Sequence, residues 1–566
     1  MNVYLKDYLP NDAALVPASA LAAAVNALGD GDTLFLGGGR LEIGPEGALR
    51  KYYYISNNDH GEKPVAFPLI GKRNVTVDGE GADIVFHGSI LPFAIDHSAN
   101  VTVKNLSIDY RFPQYGQGLV VEADRTHTVL EFDGEDFFCR LEDGVPCFYS
   151  EADGWAHRRD SLFCLEFDAQ TRAPSDHLPA YFAYSGPACD HGFLGPMFRD
   201  VTFRQLGENR IGMYGDLGFV HTPGNCVAMM HATREYPGIF VTGSDGVTLE
   251  RVRLYHTLAM GVICQLSSDI TLDRVEADVR EGSGRLISVN ADATHFVNCR
   301  GHITLRGCRF VRMNDDAANL HGIYVKDVRR SGTHGFTAGY GHPQQVGINI
   351  FRPGDRVRFF DYETTRVLAD CTVADSVQQS ADTLSVTLRE PMPDFGDSLV
   401  VAENISTAPE ITITGCESGA NRPRGFLVSS AGRILIESCL LHNMNQGVNI
   451  GGEMLNWYES GATTDVTIRN NEFRNSAYAG GAAICASAHV RHPELNPRFH
   501  GRVLIEHNRF TMNGKRFLDA QNVGELIFRE NTYTRDPSLP DHGRLGENGV
   551  CVKDCGDTFI EPVREA

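Results

Sequence analysis

Apolar and polar residues alternate in short segments that recur along much of the chain. These segments begin at Val247, Ile270, Ile303, Ile411, Ile434, Val466, Val503 and Leu526, and they include "VTLERVRL", "ITLRGCRF" and "VLIEHNRF". Three pairs of starts, 247 and 270, 411 and 434, and 503 and 526, are 23 residues apart. Alternation with a period of two is typical of strands with one buried face, and a fixed longer period is typical of a solenoid. The pattern predicts one short coil, repeated along the chain.

Aligned copies of the repeat carry similar residues at equivalent positions. The sixth position is occupied by Val252, Val275, Cys308, Cys416, Cys439, Asn471, Asn508 and Asn531, and the eighth includes Phe310, Leu441, Phe473, Phe510 and Tyr533. Because coils of a parallel β-helix stack about 4.8 Å apart, each position would form a ladder along the axis. We therefore predict an all-β, right-handed parallel β-helix of the pectin-lyase-like kind, whose 14 cysteines are mostly buried and reduced.

Two segments interrupt the repeat and divide the chain into five parts. Residues 1–110 would hold a cap helix, with Leu21, Val25 and Leu28 on one stripe, and the first coils. Residues 111–238 and 327–405 alternate like antiparallel strands and predict two inserted small β-barrel or sandwich domains. Residues 239–326 would form central coils and residues 406–566 the C-terminal coils.

Charge and hydropathy exclude several classes of partner. The chain carries 72 acidic and 51 basic residues, a net charge of −21, so nucleic acid and anionic membranes are poor partners. No uninterrupted apolar run approaches the length of a membrane span, and the N-terminus shows no signal peptide. Localisation stays open, because an export signal could have been removed.

Acidic residues are concentrated at one turn of the central coils. The segment "RFVRMNDDAANLHG", residues 309–322, contains Asp315 and Asp316, and "SVNADATHFVNCRGHITL" carries Asp292. Comparison with the preceding coil predicts that about ten residues, including Asp292 and His295, are added to the turn before the Ile303 strand. Asp and Asn also suit surface turns, yet the spacing of 23 residues between Asp292 and Asp315 predicts that the three acids converge in one cleft.

Clustered carboxylates suit glycoside hydrolysis, which needs one protonated acid and one ionised carboxylate. Mutual repulsion and burial can supply both states in one cluster. A calcium site is the rival interpretation. A polysaccharide lyase would need an opposing basic residue, and the scarcity of Arg and Lys expected around these acids counts against it.

The order "DATHFVNCRGHITLRGCRF" followed by "NDDAANLHG" resembles glycoside hydrolase family 110 over most of the chain. The resemblance implies an exo-acting α-galactosidase that releases terminal α-1,3-linked galactose, including that of the blood group B antigen, with inversion and without a metal or other cofactor. Whether linear α-1,3-galactosides are also substrates stays open. It implies that Asp315 is the general acid and that Asp292 and Asp316 position and deprotonate the attacking water. It also implies that export to the periplasm or medium is common.

Inserted residues near the acids are candidates for binding the sugar. The loop "GGEMLNWYESGA" offers Trp457 or Tyr458 for stacking and Glu453 or Glu459 for hydroxyl groups; packing of this loop against the solenoid is the alternative. His295, Asn319 and His321 are further candidates for hydroxyl binding, and a hydrogen-bonded structural role is the alternative for both histidines.

Two other functions fit the same predicted fold. A polygalacturonase-like hydrolase also uses three Asp residues, but its usual signatures are missing from suitable coils. A non-catalytic carbohydrate-binding solenoid is the second. In either case the partner is a glycan, and a projecting insertion suggests a homodimer. If the reaction inverts, the acid and base carboxyl groups should be about 6.5 to 9.5 Å apart.

Overall fold

Three long parallel sheets form the body of the molecule. The computed structural model describes residues 2–10, 15–186 and 192–565. In chain order, the strands of the first sheet are Asn2–Tyr4, Thr33–Phe35, Thr76–Phe86, Ala99–Tyr110, Asp245–Leu254, Ser268–Asp273, Arg300–Arg306, Glu410–Thr414, Arg433–Glu437, Asp465–Arg469, His500–Glu506, Val523–Arg529 and Asp557–Ile560.

The second and third sheets follow the first around each coil. The second begins with Val16–Pro17 and Arg40–Gly44, continues through the ends of the long strands at 76–110 and 245–254, and then contains Glu276–Ala277, Arg309–Val311, Glu417–Gly419, Leu440–His442, Glu472–Arg474, Arg509–Lys515, Thr532–Arg535 and Arg564–Glu565. The third contains His60–Ile70, Leu91–Asp96, Ile239–Thr242, Val262–Gln265, Thr294–Val297, Ala318–Arg330, Phe426–Val428, Val448–Ile450, Ile484–Ala486, Leu518–Gln521 and Val550–Lys553. The predicted parallel β-helix is confirmed.

The register of the coils agrees with the sequence alignment. Ile303 pairs with Ile411, and Ile411 pairs with Ile434. Phe473 lies beside Phe510, with ring centroids 5.1 Å apart and nearly parallel planes. The inward-facing side chains of all three sheets form one continuous buried core. Stacking like on like therefore keeps each layer of the core the same width, which lets the coils repeat.

The polar ladder inside the C-terminal coils is built from asparagine. Asn508 Oδ1 accepts hydrogen bonds from the backbone N–H and the amide of Asn471, each at 3.0 Å, and Asn508 donates in turn to Asn531 Oδ1 at 3.1 Å. Earlier coils place Cys308, Cys416 and Cys439 at this position. The 13 cysteines among the described residues are free, and nine of them are buried; Cys189 lies outside the described residues.

The first insertion is an antiparallel domain with its own core. Its larger sheet has the strands Gly116–Ala123, His127–Glu131, Ser161–Phe167, Tyr181–Tyr184, Phe198–Asp200, Thr202–Gly207, Arg210–Tyr214 and Cys226–Met230. A smaller sheet contains Cys139–Glu142, Val145–Ser150 and Trp155–Arg158. The chain re-enters the solenoid at Ile239.

The second insertion is a closed six-stranded barrel. Its strands are the end of Ala318–Arg330 together with Gly335–Tyr340, Thr383–Leu388, Val367–Gln378, Arg356–Asp361 and Val400–Asn404, each antiparallel to the next, and the last pairs again with the first. Because Ala318–Arg330 runs from the third sheet of the solenoid into the barrel, the barrel is fixed beside the central coils.

The remaining elements of the described chain are one α-helix, four short 3-10 helices and a few edge strands. The α-helix Ala18–Asn26 buries Leu21 and Val25 in the core of the solenoid. Short 3-10 helices occupy Leu5–Asp7, Gly192–Met197, Pro343–Gln345 and Pro493–Leu495, and the strands Leu49–Tyr54, Glu459–Ser460 and Asp541–Arg544 pair at the edges. In the described part of the chain, no helix is long and apolar enough to cross a membrane.

Substitution of Asn508 tests the polar ladder. Asn508→Ala removes the acceptor for Asn471 and the donor to Asn531 inside the core, so we expect the free energy of unfolding to fall by about 2–4 kcal/mol. Thr511→Ala, a half-buried position on the same coil, is the control and should change it by less than about 1 kcal/mol. Urea unfolding followed by circular dichroism measures both. Equal losses in the two variants would show that the ladder adds no stability.

Candidate active site

The coil register places two acids and one arginine at the same position of three successive coils. Thr294, Ala318 and Phe426 are paired neighbours in the third sheet, and the residues two positions earlier are Asp292, Asp316 and Arg424. The N–H of Ala293 donates to the carbonyl of Asp316 at 2.8 Å, which continues the ladder up to the acids. Asp292 and Asp316 therefore lie one above the other on adjacent coils.

Asp316 is held by the arginine of the next coil. Arg424 donates from Nε and Nη2 to the two carboxylate oxygens, at 2.9 and 2.7 Å, and its backbone N–H donates at 3.1 Å. The Asp316 side chain is only 1% exposed. A buried carboxylate with three donors from one residue is fixed in orientation.

Asp315 faces two other arginines. Arg234, near the end of the first insertion, donates from Nη2 to Asp315 Oδ2, and Arg422 Nη2 lies 3.8 Å from Asp315 Oδ1. Arg422 also stacks against the Phe163 ring of the first insertion, 5.0 Å from its centroid. The Asp315 side chain is 14% exposed, against 4% for Asp292. Asp315 is thus the most accessible of the three acids.

These contacts separate the proton affinities of the acids. Burial and the neighbouring Asp315 raise the pKa of Asp292 to about 8. Burial also raises the pKa of Asp316 to about 7, although Arg424 opposes this. For Asp315 burial acts in the same direction, but Arg234, Arg422 and Arg424 outweigh it and hold the pKa below its usual value. Near neutral pH, the cluster therefore contains both protonated and ionised carboxyl groups.

Two buried histidines continue from Asp292. His295 Nδ1 lies 2.5 Å from Asp292 Oδ2, and His295 Nε2 lies 2.9 Å from His321 Nε2. His321 Nδ1 lies 2.6 Å from the Gly322 carbonyl oxygen. The Glu459 carboxylate lies 3.5 Å from the same His321 Nε2 atom. Both rings therefore belong to the acid cluster.

Asn319 shares the strand Ala318–Arg330 with His321 and pairs with His295 of the neighbouring strand. Its Nδ2 is 3.5 Å from Glu459 Oε2, and its Oδ1 is buried without a hydrogen-bond partner among the described residues. Glu459 Oε1 also accepts a hydrogen bond from Asn57 Nδ2 at 2.8 Å, which brings the turn after Leu49–Tyr54 to the site. The amide oxygen of Asn319 is thus an unsatisfied acceptor beside the acid cluster.

The long loop before Glu459 is organised by Glu453. The Glu453 carboxylate accepts hydrogen bonds from four consecutive backbone N–H groups, those of Leu455, Asn456, Trp457 and Tyr458. Tyr458 is 7% exposed, and its ring lies parallel to that of Tyr362 in the barrel. Trp457 is 37% exposed and stacks on His342, with ring centroids 4.1 Å apart. Of the two aromatic residues of this loop, Trp457 and Tyr458, only Trp457 presents an accessible aromatic face.

Two expectations about the surroundings of the acids are wrong. The first is that the extra residues of this coil include Asp292 and His295. His295 lies within the regular strand Thr294–Val297, and the added length precedes Asp292, between Ala277 and the acid. The second is that Arg and Lys are scarce around the acids, since three arginines contact or closely approach them. Carboxylates this deeply buried require nearby positive charge.

The spacing of the acids bears on the metal interpretation. Asp292, Asp315 and Asp316 each offer an oxygen within 4.8 Å of the others, a distance that a divalent cation could bridge. However, Asp315 and Asp316 are already paired with guanidinium groups, which supply the compensating charge a cation would bring. The donor set consequently fits an arginine-compensated cluster better than a calcium site, where neutral and carboxylate oxygens dominate.

A groove of about 750 Å³ lies away from the acids and is lined by residues of the first and the central coils. Its arginines are already paired: Arg253 with Glu276 at 3.0 Å, and Arg280 with Asp109 at 2.8 Å. The groove contains no comparable cluster of buried acids. This groove therefore does not compete with Asp292, Asp315 and Asp316 as a candidate site for acid–base chemistry.

Comparison with known proteins identifies the family. Residues 336–395 match the model of the GLAA-B beta-barrel domain II, which covers most of the barrel insertion. Alpha-1,3-galactosidase A of Shewanella woodyi is 32% identical over 528 residues, which span 93% of this chain and 84% of that protein. The chain belongs to the α-1,3-galactosidase family. Alpha-1,3-galactosidase B of Bacteroides thetaiotaomicron, at 28% identity, covers 94% of this chain and 85% of its own length.

Similarity between this family member and solved structures is low. The tailspike protein of E. coli bacteriophage HK620 in complex with pentasaccharide aligns with 100% of this chain and 72% of its own, at 8% identity and a TM-score of 0.41.

The stability of the folded protein should depend on pH through Asp292. Its pKa is about 8 in the folded state and about 4 in an unfolded chain, so the folded state binds more protons in this window and loses stability as pH rises. Asp292→Asn removes that dependence. Relative to wild type, the variant should gain up to about 1.4 kcal/mol per pH unit between pH 5 and pH 7.5.

Urea unfolding at several pH values measures this difference. Asp143→Asn, at a side chain that is 94% exposed, is the control and should follow wild type throughout. Parallel pH dependences for wild type and Asp292→Asn would contradict the raised pKa.

Proposed function

We propose that the protein is an exo-acting α-galactosidase that hydrolyses terminal α-1,3-linked galactose. The observation that carries the proposal is the cluster of two buried carboxylates and one partly exposed carboxylate, with arginines beside it, at the turn before the third sheet. Relatives that match about nine-tenths of the chain are named α-1,3-galactosidases, which supports the substrate class. At the finer level we propose that the glycans include the branched blood group B determinant and linear α-1,3-galactosides.

We assign proton donation to Asp315. Its side chain is the most exposed of the three acids, so a glycosidic oxygen can reach it from the cleft. Asp292 and Asp316, stacked on adjacent coils, would hold the attacking water and accept its proton. These are the roles that resemblance to the family implies, and the division between one accessible and two buried acids supports it.

The unliganded site is not yet in the protonation state that this reaction needs. Arg234 and Arg422 keep Asp315 ionised, because both lower its pKa. A sugar that draws Arg234 away from Asp315 and excludes water would raise that pKa and allow Asp315 to take up a proton. In this proposal Arg234 makes proton donation depend on occupancy of the site.

Several neighbouring groups would bind the sugar. The buried Oδ1 of Asn319 is without a hydrogen-bond partner among the described residues, and a sugar hydroxyl would satisfy it. Glu459 is the carboxylate on this side, because Glu453 is engaged by four amides of its own loop. Trp457 would stack on an apolar face of the substrate, and Tyr458 would hold the loop against the barrel. His295 and His321 would act through Asp292.

We further propose that the reaction inverts the anomeric configuration. The closest carboxylate oxygens lie within 4.8 Å of one another, and the carboxyl carbons are set back from them by about one bond length each. An inverting enzyme holds a water molecule between its acid and its base. The two carboxyl groups would therefore have to be separated by the larger of the distances that this geometry allows.

We also propose, from the sequence, that two copies of the protein associate through an inserted domain.

The stereochemistry of the product tests the function. The purified protein is mixed with a branched α-1,3-galactosyl trisaccharide, and proton NMR follows the galactose anomers before mutarotation. We expect free galactose with the β-anomer appearing first. Early α-galactose would contradict inversion, and absence of release, with binding retained, would favour a carbohydrate-binding solenoid. Release from polygalacturonate instead would favour the polygalacturonase-like alternative.

Asp315→Asn tests the assignment of the proton donor. Because the amide cannot donate a proton to the leaving oxygen as a carboxylic acid does, turnover should fall about 10²- to 10⁴-fold. Turnover of a substrate with a good leaving group, such as a nitrophenyl α-galactoside, should fall less, because its leaving oxygen needs little protonation. Unchanged melting temperature shows that the fold is intact, and Asp143→Asn is the activity control. Equal losses on both substrates would contradict the role.

A further inference from the structure

A chain of contacts runs from Asp292 through two histidines to a backbone carbonyl, and it determines how many hydrogen atoms these groups must carry. It contains three contacts: Asp292 Oδ2 to His295 Nδ1 at 2.5 Å, His295 Nε2 to His321 Nε2 at 2.9 Å, and His321 Nδ1 to the Gly322 oxygen at 2.6 Å. Each contact is a hydrogen bond only if one hydrogen lies between its two heavy atoms. The complete chain therefore needs three hydrogens.

Neutral histidines and an ionised aspartate cannot supply them. Each neutral imidazole carries one N–H, so the two rings provide two hydrogens, and an ionised Asp292 provides none. The Gly322 carbonyl can only accept, which places the hydrogen of a neutral His321 on Nδ1. His295 must then donate from Nε2 to His321, and its Nδ1 is left as an acceptor facing Asp292. The third hydrogen has to come from an additional proton.

We propose that Asp292, His295 and His321 together hold one extra proton and act as the proton reservoir of the water-activating side of the site. The proposal rests on the proposed hydrolytic function and deepens it. His295 and His321 are positioning residues, since they act through Asp292. In the empty site the proton resides on Asp292, as a carboxyl group that donates to His295 Nδ1.

The electrostatic surroundings support that location. Burial lowers the pKa of His295 to about 4 and lowers the pKa of His321 as well, whereas burial raises the pKa of Asp292. The charged groups that face the chain are Glu459, Arg234, Arg424, Asp315 and Asp316. Glu459 lies 3.5 Å from His321 Nε2 and favours positive charge on the rings, while Arg234 opposes it at His295. Transfer of the proton to His295 therefore requires that substrate binding change the charges that face the rings.

Transfer of the proton from Asp292 to His295 leaves the total charge of Asp292, His295 and His321 unchanged. Asp292 passes its proton to His295 Nδ1, so a neutral pair becomes a carboxylate beside an imidazolium. The carboxylate then accepts a proton from water while the water oxygen bonds to the anomeric carbon. The glycosidic C–O bond breaks, and its oxygen takes the proton of Asp315. The chain now holds one proton more than before and Asp315 one fewer, and exchange of a proton through solvent restores both.

Nitrogen NMR of the histidine rings tests the proposal without substrate. The full-length protein is labelled with ¹⁵N-histidine, and His295→Gln and His321→Gln assign the two ring signals by their loss; His302→Gln, at a side chain that is 71% exposed, is the control. At pH 6–7 we expect His321 to carry its hydrogen on Nδ1 and His295 on Nε2. A doubly protonated ring at either position also contains the extra proton and supports the proposal. Two neutral rings with the His295 hydrogen on Nδ1 would overturn it.

The pH dependence of catalysis separates a reservoir from a merely structural contact. His321→Leu removes the acceptor that stabilises an imidazolium at His295, so Asp292 should keep its proton to higher pH. The acidic limb of the kcat/KM profile should then move upward by about one unit, a tenfold change in proton affinity, with KM within about threefold of wild type. His321→Gln, whose amide oxygen can accept in place of Nε2, should move it less.

The melting temperatures of both variants show whether they fold. An unmoved acidic limb in folded His321→Leu would overturn the reservoir. If the wild-type protein releases no galactose, the proposed function fails, whereas the ring signals still decide whether the extra proton is present. The two failures are thus distinguishable.

Discussion

Parallel main-chain pairing between successive coils is the constraint on which the site depends. The pairing joins Thr294 to Ala318 and Ala318 to Phe426, and so carries the preceding residues into line. Because a slip of one residue would turn every side chain to the opposite face of the sheet, the buried core holds the register strongly. The positions of Asp292, Asp316 and Arg424 follow from the packing of apolar residues in sheets that take no direct part in the chemistry.

Burying several carboxylates together costs free energy, and positively charged side chains beside them offset that cost. An ionised carboxylate in a dry environment is unstable unless it is paired and hydrogen-bonded. Arg424 meets this need for Asp316 from the next coil, and Arg234 meets it for Asp315 from the end of the first insertion. Asp292 has no such guanidinium partner in the described ion pairs and contacts His295 instead. The three acids consequently differ in proton affinity despite their proximity.

The sequence predicted the solenoid well because each coil repeats the same alternation. It also predicted that Asp292, Asp315 and Asp316 meet, since all three belong to adjacent coils. Arg424 was within reach of the same alignment, because it precedes the Phe426 strand as Asp316 precedes Ala318. Arg234 was not, because its position depends on how a long insertion folds and where that insertion returns the chain. The partners of Glu453 were equally hidden, since a carboxylate that caps its own loop has no periodic signal.

The order of the charged groups along the chain has a consequence for synthesis. Arg234 emerges from the ribosome before the acids, but Arg422 and Arg424 follow them only after the barrel insertion. A nascent solenoid that ended at the acid-bearing coil would expose Asp316 at its growing edge, with water in place of its bidentate partner. The bidentate partner of Asp316 is therefore supplied only after the chain has passed through the barrel insertion and entered the coil that carries Arg424.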